Sequence, residues 1–332
     1  MTGVTIVVVT FNSEQVVASC LESCREYPTV VVDNASTDGT VAVARRFPHA
    51  RVIANETNRG FAAAVNQAVC KCDTDLVLLL NPDVTLLTDL GPLVDSCDTE
   101  AVGAGAGQLV GEDGRPQKGF GVRSFPGPAA LFLEVLGLNR IFPWNPVNRQ
   151  FRQLLRNLEA AGEVDQPAGA FLLIRKAVWE RVGRFDEAFY PVWFEDVDFC
   201  KRAKEAGYKL VYEPSVQARH TGGHSVRALP GECRELYWYV SLLRYASKHF
   251  RSLELRLVSA AVVAGVIPRA IASLVAGGGT AVGATYLRVM RFAGGCLVSG
   301  RFLDVPGPLR RQIAAVTNVT GSGQVTPSAR NI

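Results

Sequence analysis

Four short apolar runs, evenly spaced and separated by helix-forming sequence, constrain this chain more than any other feature. Val4–Val9 (VTIVVV), Thr29–Val32 (TVVV), Arg51–Ala54 and Leu76–Leu80 (LVLLL) have the length and β-branched or leucine-rich character of strands. Helical stretches come after the first three, over Glu14–Tyr27, Thr40–Phe47 and Ala62–Cys70. Continuous apolar strands alternating with helices predict βαβ units, and so an α/β fold with a mostly parallel, Rossmann-like sheet covered by helices on both faces. With 332 residues and 48% hydrophobic side chains, the chain can bury a large core, which excludes disordered and fibrous classes.

Each strand runs into a polar segment rich in acceptors: Thr10-Phe11-Asn12, then Asp33 through Gly39, then Asn55 through Phe61, then Asn81-Pro82-Asp83. Such residues also make ordinary turns. Four of them at one edge of one sheet predict a binding crevice, because open α/β sheets bind ligands beyond the carboxyl ends of their strands. No GxxxxGK[ST] is present. Gly103, Gly105 and Gly107 have the wrong spacing for a dinucleotide fingerprint, which disfavours a P-loop or nicotinamide enzyme.

Organisation continues past the fourth strand. Residues Gly111 to Asp165 read as loops and short helices, with aromatics from Phe120 to Phe151 facing an acceptor side. Order returns at Pro167–Ile174, a glycine-containing strand, then a helix over Lys176–Val182 and a strand over Lys209–Tyr212. Between the last two lies a dense aromatic-acidic segment, Phe189-Tyr190-Pro191-Val192-Trp193-Phe194, running into Glu195-Asp196-Val197-Asp198 and a helix to Ala206. Three acids at a helix start suit the dipole, and a capping role is one reading. A carboxylate walled by aromatic rings, with its pKa raised to serve as a general base, is the other. Asp83 sits on a proline-stiffened turn that suits a hard divalent cation or an Asx turn. His220 lies among Arg219, Gly222, Gly223 and Ser225, a setting for an anion-binding loop or a structural histidine.

The net charge of +4 is too small to argue for nucleic acid. The basic surplus is local: from Arg251 to Arg311 there are eight arginines and two acids, Glu254 and Asp304. The uncharged runs Leu257–Pro268 and Ala270–Leu287 lie in the same region, the second interrupted by Gly277, Gly278, Gly279 and Gly283. Residues 236–316 therefore read as a basic, apolar helical region, either lying on an anionic membrane surface or packed as a cap on the α/β domain. The tail 317–332 reads as disordered. The eight cysteines are scattered and are expected as buried, reduced thiols rather than disulfides or zinc ligands.

The motifs, in order, resemble the family 2 glycosyltransferases, which have a GT-A fold, and most of all their bacterial rhamnosyltransferase branch. The matching pieces are VVVTFNS (Val7–Ser13), VVDNASTDGT (Val31–Thr40), NRGFAAAVN (Asn58–Asn66), LLLNPDV (Leu78–Val84), PAGAFLLIRK (Pro167–Lys176), FDEAFYPVWFEDVDFCKRAKEAGY (Phe185–Tyr208) and His220. The resemblance spans residues 4 to 225 and implies a GT-A domain over 1–235. It implies that Thr10, Asn12, Asp33 and Asp38 line a nucleotide site and that Asn58, Gly60 and Asn66 shape a donor pocket, with Asn81 and Trp193 also contacting substrate. Asp83 would hold Mg²⁺ or Mn²⁺ against the diphosphate, with His220 as a further metal or diphosphate contact. Asp196, in the Glu195-Asp196 pair, would be the catalytic base. The first position of the family's DxD is Asn81 here, which leaves metal binding resting on Asp83.

The implied activity is inverting transfer of a sugar from a nucleotide diphosphate, with dTDP-L-rhamnose as donor, to a polyprenyl-diphosphate-linked saccharide. It would take place on the cytoplasmic face of a bacterial inner membrane, with the enzyme peripherally attached. Galactofuranose, glucose or mannose donors are the alternatives within the class. A sugar nucleotidyltransferase is disfavoured, since Thr10-Phe11-Asn12-Ser13 lacks the glycines and charge such enzymes carry after the first strand. A non-catalytic glycan-binding scaffold is disfavoured by the intact Asp83 and Glu195-Asp196.

Overall fold

The computed structural model describes residues 3–222, 231–275 and 280–303. Gly223 and Ser225 of the anion-loop reading, glycines 277–279, residues 304–316 and the tail from Thr317 lie outside them. Strands β1 (Val4–Thr10), β2 (Thr29–Asp33), β3 (Ala50–Ala54) and β4 (Leu76–Leu80) alternate with helices α1 (Val17–Ser23), α2 (Thr40–Ala44) and α3 (Phe61–Val69). Then come β5 (Val84–Leu86), α4 (Gly91–Ser96) and β6 (Val102–Val110). The middle segment holds β7 (Val122–Arg123), α5 (Pro128–Val135), α6 (Leu138–Ile141), α7 (Pro146–Phe151), β8 (Gly162–Val164) and β9 (Gln166–Pro167). The domain closes with β10 (Phe171–Arg175), α8 (Lys176–Arg181), α9 (Glu195–Glu205) and β11 (Lys209–His220).

One nine-stranded sheet carries them in the order β3-β2-β1-β4-β10-β6-β11-β5, with β8 paired to β11, while β7 and β9 form a separate ribbon. The parallel character lies in β3-β2-β1-β4 and in β6-β11; β10 runs antiparallel to both of its neighbours. The antiparallel strand places the amino end of β10 at the edge where β4 ends. Phe171 pairs with Leu80, and Ala168–Ala170 come to lie beside Asn81.

Every residue of β1 is buried, and successive side chains divide between two cores. Ile6 and Val8 pack with α1 and α4 on one face; Val7 and Val9 pack with α3, α8 and α9 on the other. That division explains why the strand shows no polar alternation. The glycines of β6 serve close packing. A Cβ at Gly105 would stand 2.8 Å from the Cys97 Sγ, and one at Gly107 would stand 2.4 Å from both the Phe171 ring and the Val216 carbonyl. Cys20, Cys24, Cys72, Cys97, Cys200 and Cys296 are buried and free, while Cys70 is free but exposed, against the expectation of a buried thiol.

Beyond the domain lie α10 (Gly231–His249), α11 (Ser252–Val275) and α12 (Thr280–Ser299). They form a third core with Leu131 and Val135 of α5 and with Phe189, so these helices are a cap on the domain. α11 continues through Pro268 and so joins the first uncharged run to the start of the second, whose later part, from Thr280, belongs to α12. Arg269 does not reach outward as a flanking arginine would. Its Nη1 donates to the Val135 carbonyl at the end of α5 and to the Tyr239 hydroxyl, both at 2.6 Å. The cap nevertheless leaves Leu253, Leu257, Ile271, Val275 and Val298 exposed, and Ile141, Phe142 and Trp144 beyond α5 are exposed as well. By length and composition, Ser252–Ser273 within α11 is apolar enough to cross a membrane, though 39% of its apolar window is buried.

Candidate active site

A cavity of about 860 Å³ opens at the strand ends. Its lining includes Thr10, Asn58, Asn81, Asp83, Trp193, Glu195, Asp196 and His220, so the structure brings these together from separate segments of the chain. Asn12, Asp33, Asp38, Gly60 and Asn66 are not on its wall. Asp33 is buried under it, accepting hydrogen bonds from Thr10 Oγ1 (2.7 Å), the Ser36 amide (2.8 Å) and Ser36 Oγ (2.5 Å). Asn12, at φ 48°, ties the first loop to the second through Ser36 Oγ and the Thr37 amide. Asp38 accepts from the Thr40 and Glu14 amides at the start of α2. Asn66 faces away from the cavity. Its amide nitrogen donates to the Phe185 carbonyl and Glu187, and its oxygen accepts from the Phe185 amide, so it is a strut.

Gly60 acts through its backbone. At φ 84° it sits where a Cβ would meet the Tyr190 ring at 2.8 Å, and the next amide, Phe61, donates to the Pro191 carbonyl at 2.7 Å. This contact, together with Ser241 Oγ on the Val192 carbonyl, pins the aromatic segment between α3 and α10. Trp193 and Phe194 come next, with φ of 83° and 72°. Two consecutive non-glycine residues in the left-handed region carry strain of about 1–3 kcal/mol each. They turn the chain so that α9 starts with Glu195 and Asp196 facing the cavity.

Asp196 is held by the Gly169 amide, which donates to Oδ2 at 2.8 Å. A Cβ on Gly169 would lie 2.9 Å from that same oxygen, so only glycine lets the turn between β9 and β10, which the sequence reads as one strand over Pro167–Ile174, approach this closely. Glu195 differs sharply from its neighbour. It is 4% exposed, its Oε2 has no hydrogen-bond partner, and burial pushes its carboxyl well above the usual range, with the Asp196 charge adding to the effect.

Across the cavity, β5 and the end of β11 are paired with His220 opposite Val84, which puts His220 at a strand end rather than in a loop. Its Nε2 lies 3.6 Å from Asp83 Oδ1, and both side chains are almost fully buried. Gln117 fixes the ring: its Nε2 donates to the His220 carbonyl (2.8 Å), so its Oε1 accepts from Nδ1–H (3.0 Å). The bare Nε2 is left without a hydrogen-bond donor, facing a carboxylate. Burial lowers the histidine's pKa, partly opposed by Asp83, which favours the neutral ring. Two acceptors aimed at one space fit a divalent cation, which Asp83 and His220 would hold. Among the described residues no group of three or more His, Cys, Asp or Glu side chains could hold a metal by itself.

The middle segment supplies residues that the sequence reading left unassigned: Gln117, Lys118, Phe120, Arg123, Glu134, Phe151 and Arg152 all line the cavity. The Phe120 ring stacks on His220 with centroids 5.0 Å apart, and Arg152 pairs with Glu134 at 3.1 Å. Weak periodicity hid them; their shared aromatic and basic character was the one available signal.

A Rossmann-like half-sheet, an antiparallel strand at its edge, and acidic groups gathered at the strand ends define a GT-A glycosyltransferase fold. The comparisons place the chain within that class. Residues 5–182 match the model of glycosyl transferase family 2 and residues 141–235 that of a glycosyltransferase-like family 2, and the chain belongs to the family 2 glycosyltransferases. It is 28% identical over 244 residues to the N-acetylglucosaminyl-diphospho-decaprenol L-rhamnosyltransferase of Mycobacterium tuberculosis, covering 68% of this chain and 76% of that one. It is 23% identical to the rhamnosyltransferase WbbL of Escherichia coli, covering 73% and 92%. Among solved structures, the mannosyltransferase PcManGT from Pyrobaculum calidifontis, in complex with GDP-Man and Mn²⁺, superposes with a TM-score of 0.51 at 18% identity. That match covers 97% of this chain and 88% of the other.

Proposed function

We propose that this glycosyltransferase moves a sugar from a nucleotide diphosphate to a hydroxyl of a polyprenyl-diphosphate-linked saccharide in surface polysaccharide synthesis, with inversion at the anomeric carbon. The donor proposed is dTDP-L-rhamnose, in keeping with the two rhamnosyltransferase relatives. The carrying observation is that one cavity holds Asp196 on one wall and the Asp83–His220 pair on another. A sugar hydroxyl is a weak nucleophile, and Asp196, whose Oδ1 and Oδ2 are fixed by the Val197 and Gly169 amides, would take its proton. Asp83 and His220 would hold Mg²⁺ or Mn²⁺, which when bound neutralises charge on the departing diphosphate. As the hydroxyl oxygen bonds to the anomeric carbon, the bond to the diphosphate oxygen breaks. A single displacement of this kind inverts the centre.

Thr10 and Asn58 on the β1 and β3 side would face the nucleotide, with Asp33, Asn12 and Asp38 shaping that wall from behind. The exposed Ile141, Phe142, Trp144 and Ile271 would set the protein peripherally on the inner-membrane surface, where a polyprenyl-linked acceptor resides. The experiment is nucleotide release from a panel of sugar nucleotides, with divalent metal or EDTA, for wild type, Asp83→Ala and Asp196→Asn. Turnover of one donor, needing metal and both carboxylates, is expected. No turnover and no nucleotide binding across the panel would overturn the reading.

A further inference from the structure

Arg123 is a cation in the cavity without an anion. It sits on β7, which pairs with β9, so the ribbon holds it at the cavity wall. Its Nε donates weakly to the Phe120 carbonyl at 3.5 Å, and its guanidinium lies 5.4 Å from the centre of the Phe120 ring. That ring stacks on His220, so the arginine neighbours the Asp83–His220 pair through one aromatic side chain. No carboxylate among the described residues reaches it at ion-pairing distance, and neither terminal nitrogen has a partner there. The nearby Arg152 is already committed to Glu134 and Asn148. Burial and the charge of Arg152 both work against the protonated form of Arg123, with Asp196 and Glu134 offsetting part of this from a distance.

Arg123 is half-buried at the cavity wall, and a guanidinium with no ion-pair partner there is stabilised when an anion arrives to match it. The planar pair of terminal nitrogens matches two oxygens of a phosphate, a geometry that an ammonium cannot reproduce. We propose that Arg123 binds a phosphate group of a substrate, as a second anion contact beside the Asp83–His220 position. The phosphate belongs either to the nucleotide diphosphate or to the diphosphate of the lipid-linked acceptor; this choice of sources rests on the proposed glycosyl transfer. Arg123 binds and positions; it takes no part in proton transfer.

Calorimetry on the full chain tests this without turnover. One titration uses dTDP with Mn²⁺, the other farnesyl diphosphate as a prenyl-diphosphate probe, each against wild type, Arg123→Gln and Arg123→Lys. Affinity for one probe is expected to fall at least tenfold in Arg123→Gln, and Arg123→Lys to recover only part of it. The probe affected names the source of the phosphate. Unchanged affinity for both probes, or binding of neither by wild type, would overturn the proposal. If Arg123→Gln does not fold, as judged by thermal melting, Arg123→Lys is read alone, and wild-type affinity for both probes in that variant overturns it. Failure of the donor panel with intact Arg123-dependent binding would sink the transfer reaction and leave this anion site standing.

Discussion

The two halves of the crevice handle their polar groups in opposite ways. On the β1–β2 side the buried acid and amide are paired within the protein: Asp33 takes three donors, and Asn34 joins the Gly60 carbonyl to Asn55. On the β5–β11 and α9 side, Glu195 Oε2 and His220 Nε2 are buried without a hydrogen-bond partner, and Trp193 and Phe194 are strained. A satisfied network makes a rigid wall. Orphaned groups cost about 1–3 kcal/mol each and persist where a substrate completes them.

That contrast can be broken or sharpened by substitution. The largest effect is expected below the active half, where Asp198 is fully buried and meets Arg202 (2.8 Å), Lys248 (2.9 Å) and His249 (2.8 Å). This network locks the first turn of α9, and so Asp196, to α10. Asp198→Asn removes the charge they share and should cost about 3–5 kcal/mol in denaturant unfolding. Burial alone would raise the Asp198 carboxyl, but His249, Arg202 and Lys248 together bring it below its ordinary value. A lowered native pKa means this stabilisation is complete above the unfolded-state value of about 3.9 and is lost as pH falls through the native one. Acid unfolding should therefore be blunted in Asp198→Asn relative to its own neutral stability.

Next comes Gly169→Ala, whose methyl group would displace the Asp196 carboxylate. A shift of about 1 Å should lower kcat roughly 100-fold, with little change in nucleotide affinity measured by calorimetry. On the satisfied side, Thr10→Val strips one donor from Asp33 and should cost about 1–3 kcal/mol of stability in denaturant unfolding. The smallest effect is expected from Glu195→Gln. Its carboxyl already disfavours ionisation in the fold, so stability at neutral pH should hold or rise by about 1 kcal/mol in thermal melts. A large loss there would mean that Glu195 is ionised and paired, and the contrast between the halves would fail.

The resemblance to known motifs was legible because the strand–loop pieces are contiguous in sequence. Val7–Ser13 or Leu78–Val84 carries its own strand, turn and polar group within a single short stretch. Asp83 and Asp196 were legible as candidates for that reason. Asn66 and Asp38 belong to equally good motifs, yet their polar atoms are taken by Phe185 and by the α2 terminus, a matter of side-chain direction that linear spacing does not encode. Gln117 and Arg123 were not picked out because Gly111–Asp165 has only weak periodicity.

By itself the sequence determined the alternation of buried strands and helices, since short β-branched apolar runs bounded by turn residues and separated by helix-length segments suit a sheet covered on both faces. It also determined the edge at which polar groups collect. Only the tertiary structure decided which of them face the cavity, that Gln117 sets the His220 tautomer, and that Arg123 stands there unpaired. It also turned Arg269 inward onto α5. Each of those depends on contacts between segments far apart in the chain, and such contacts are settled by packing rather than by local propensity.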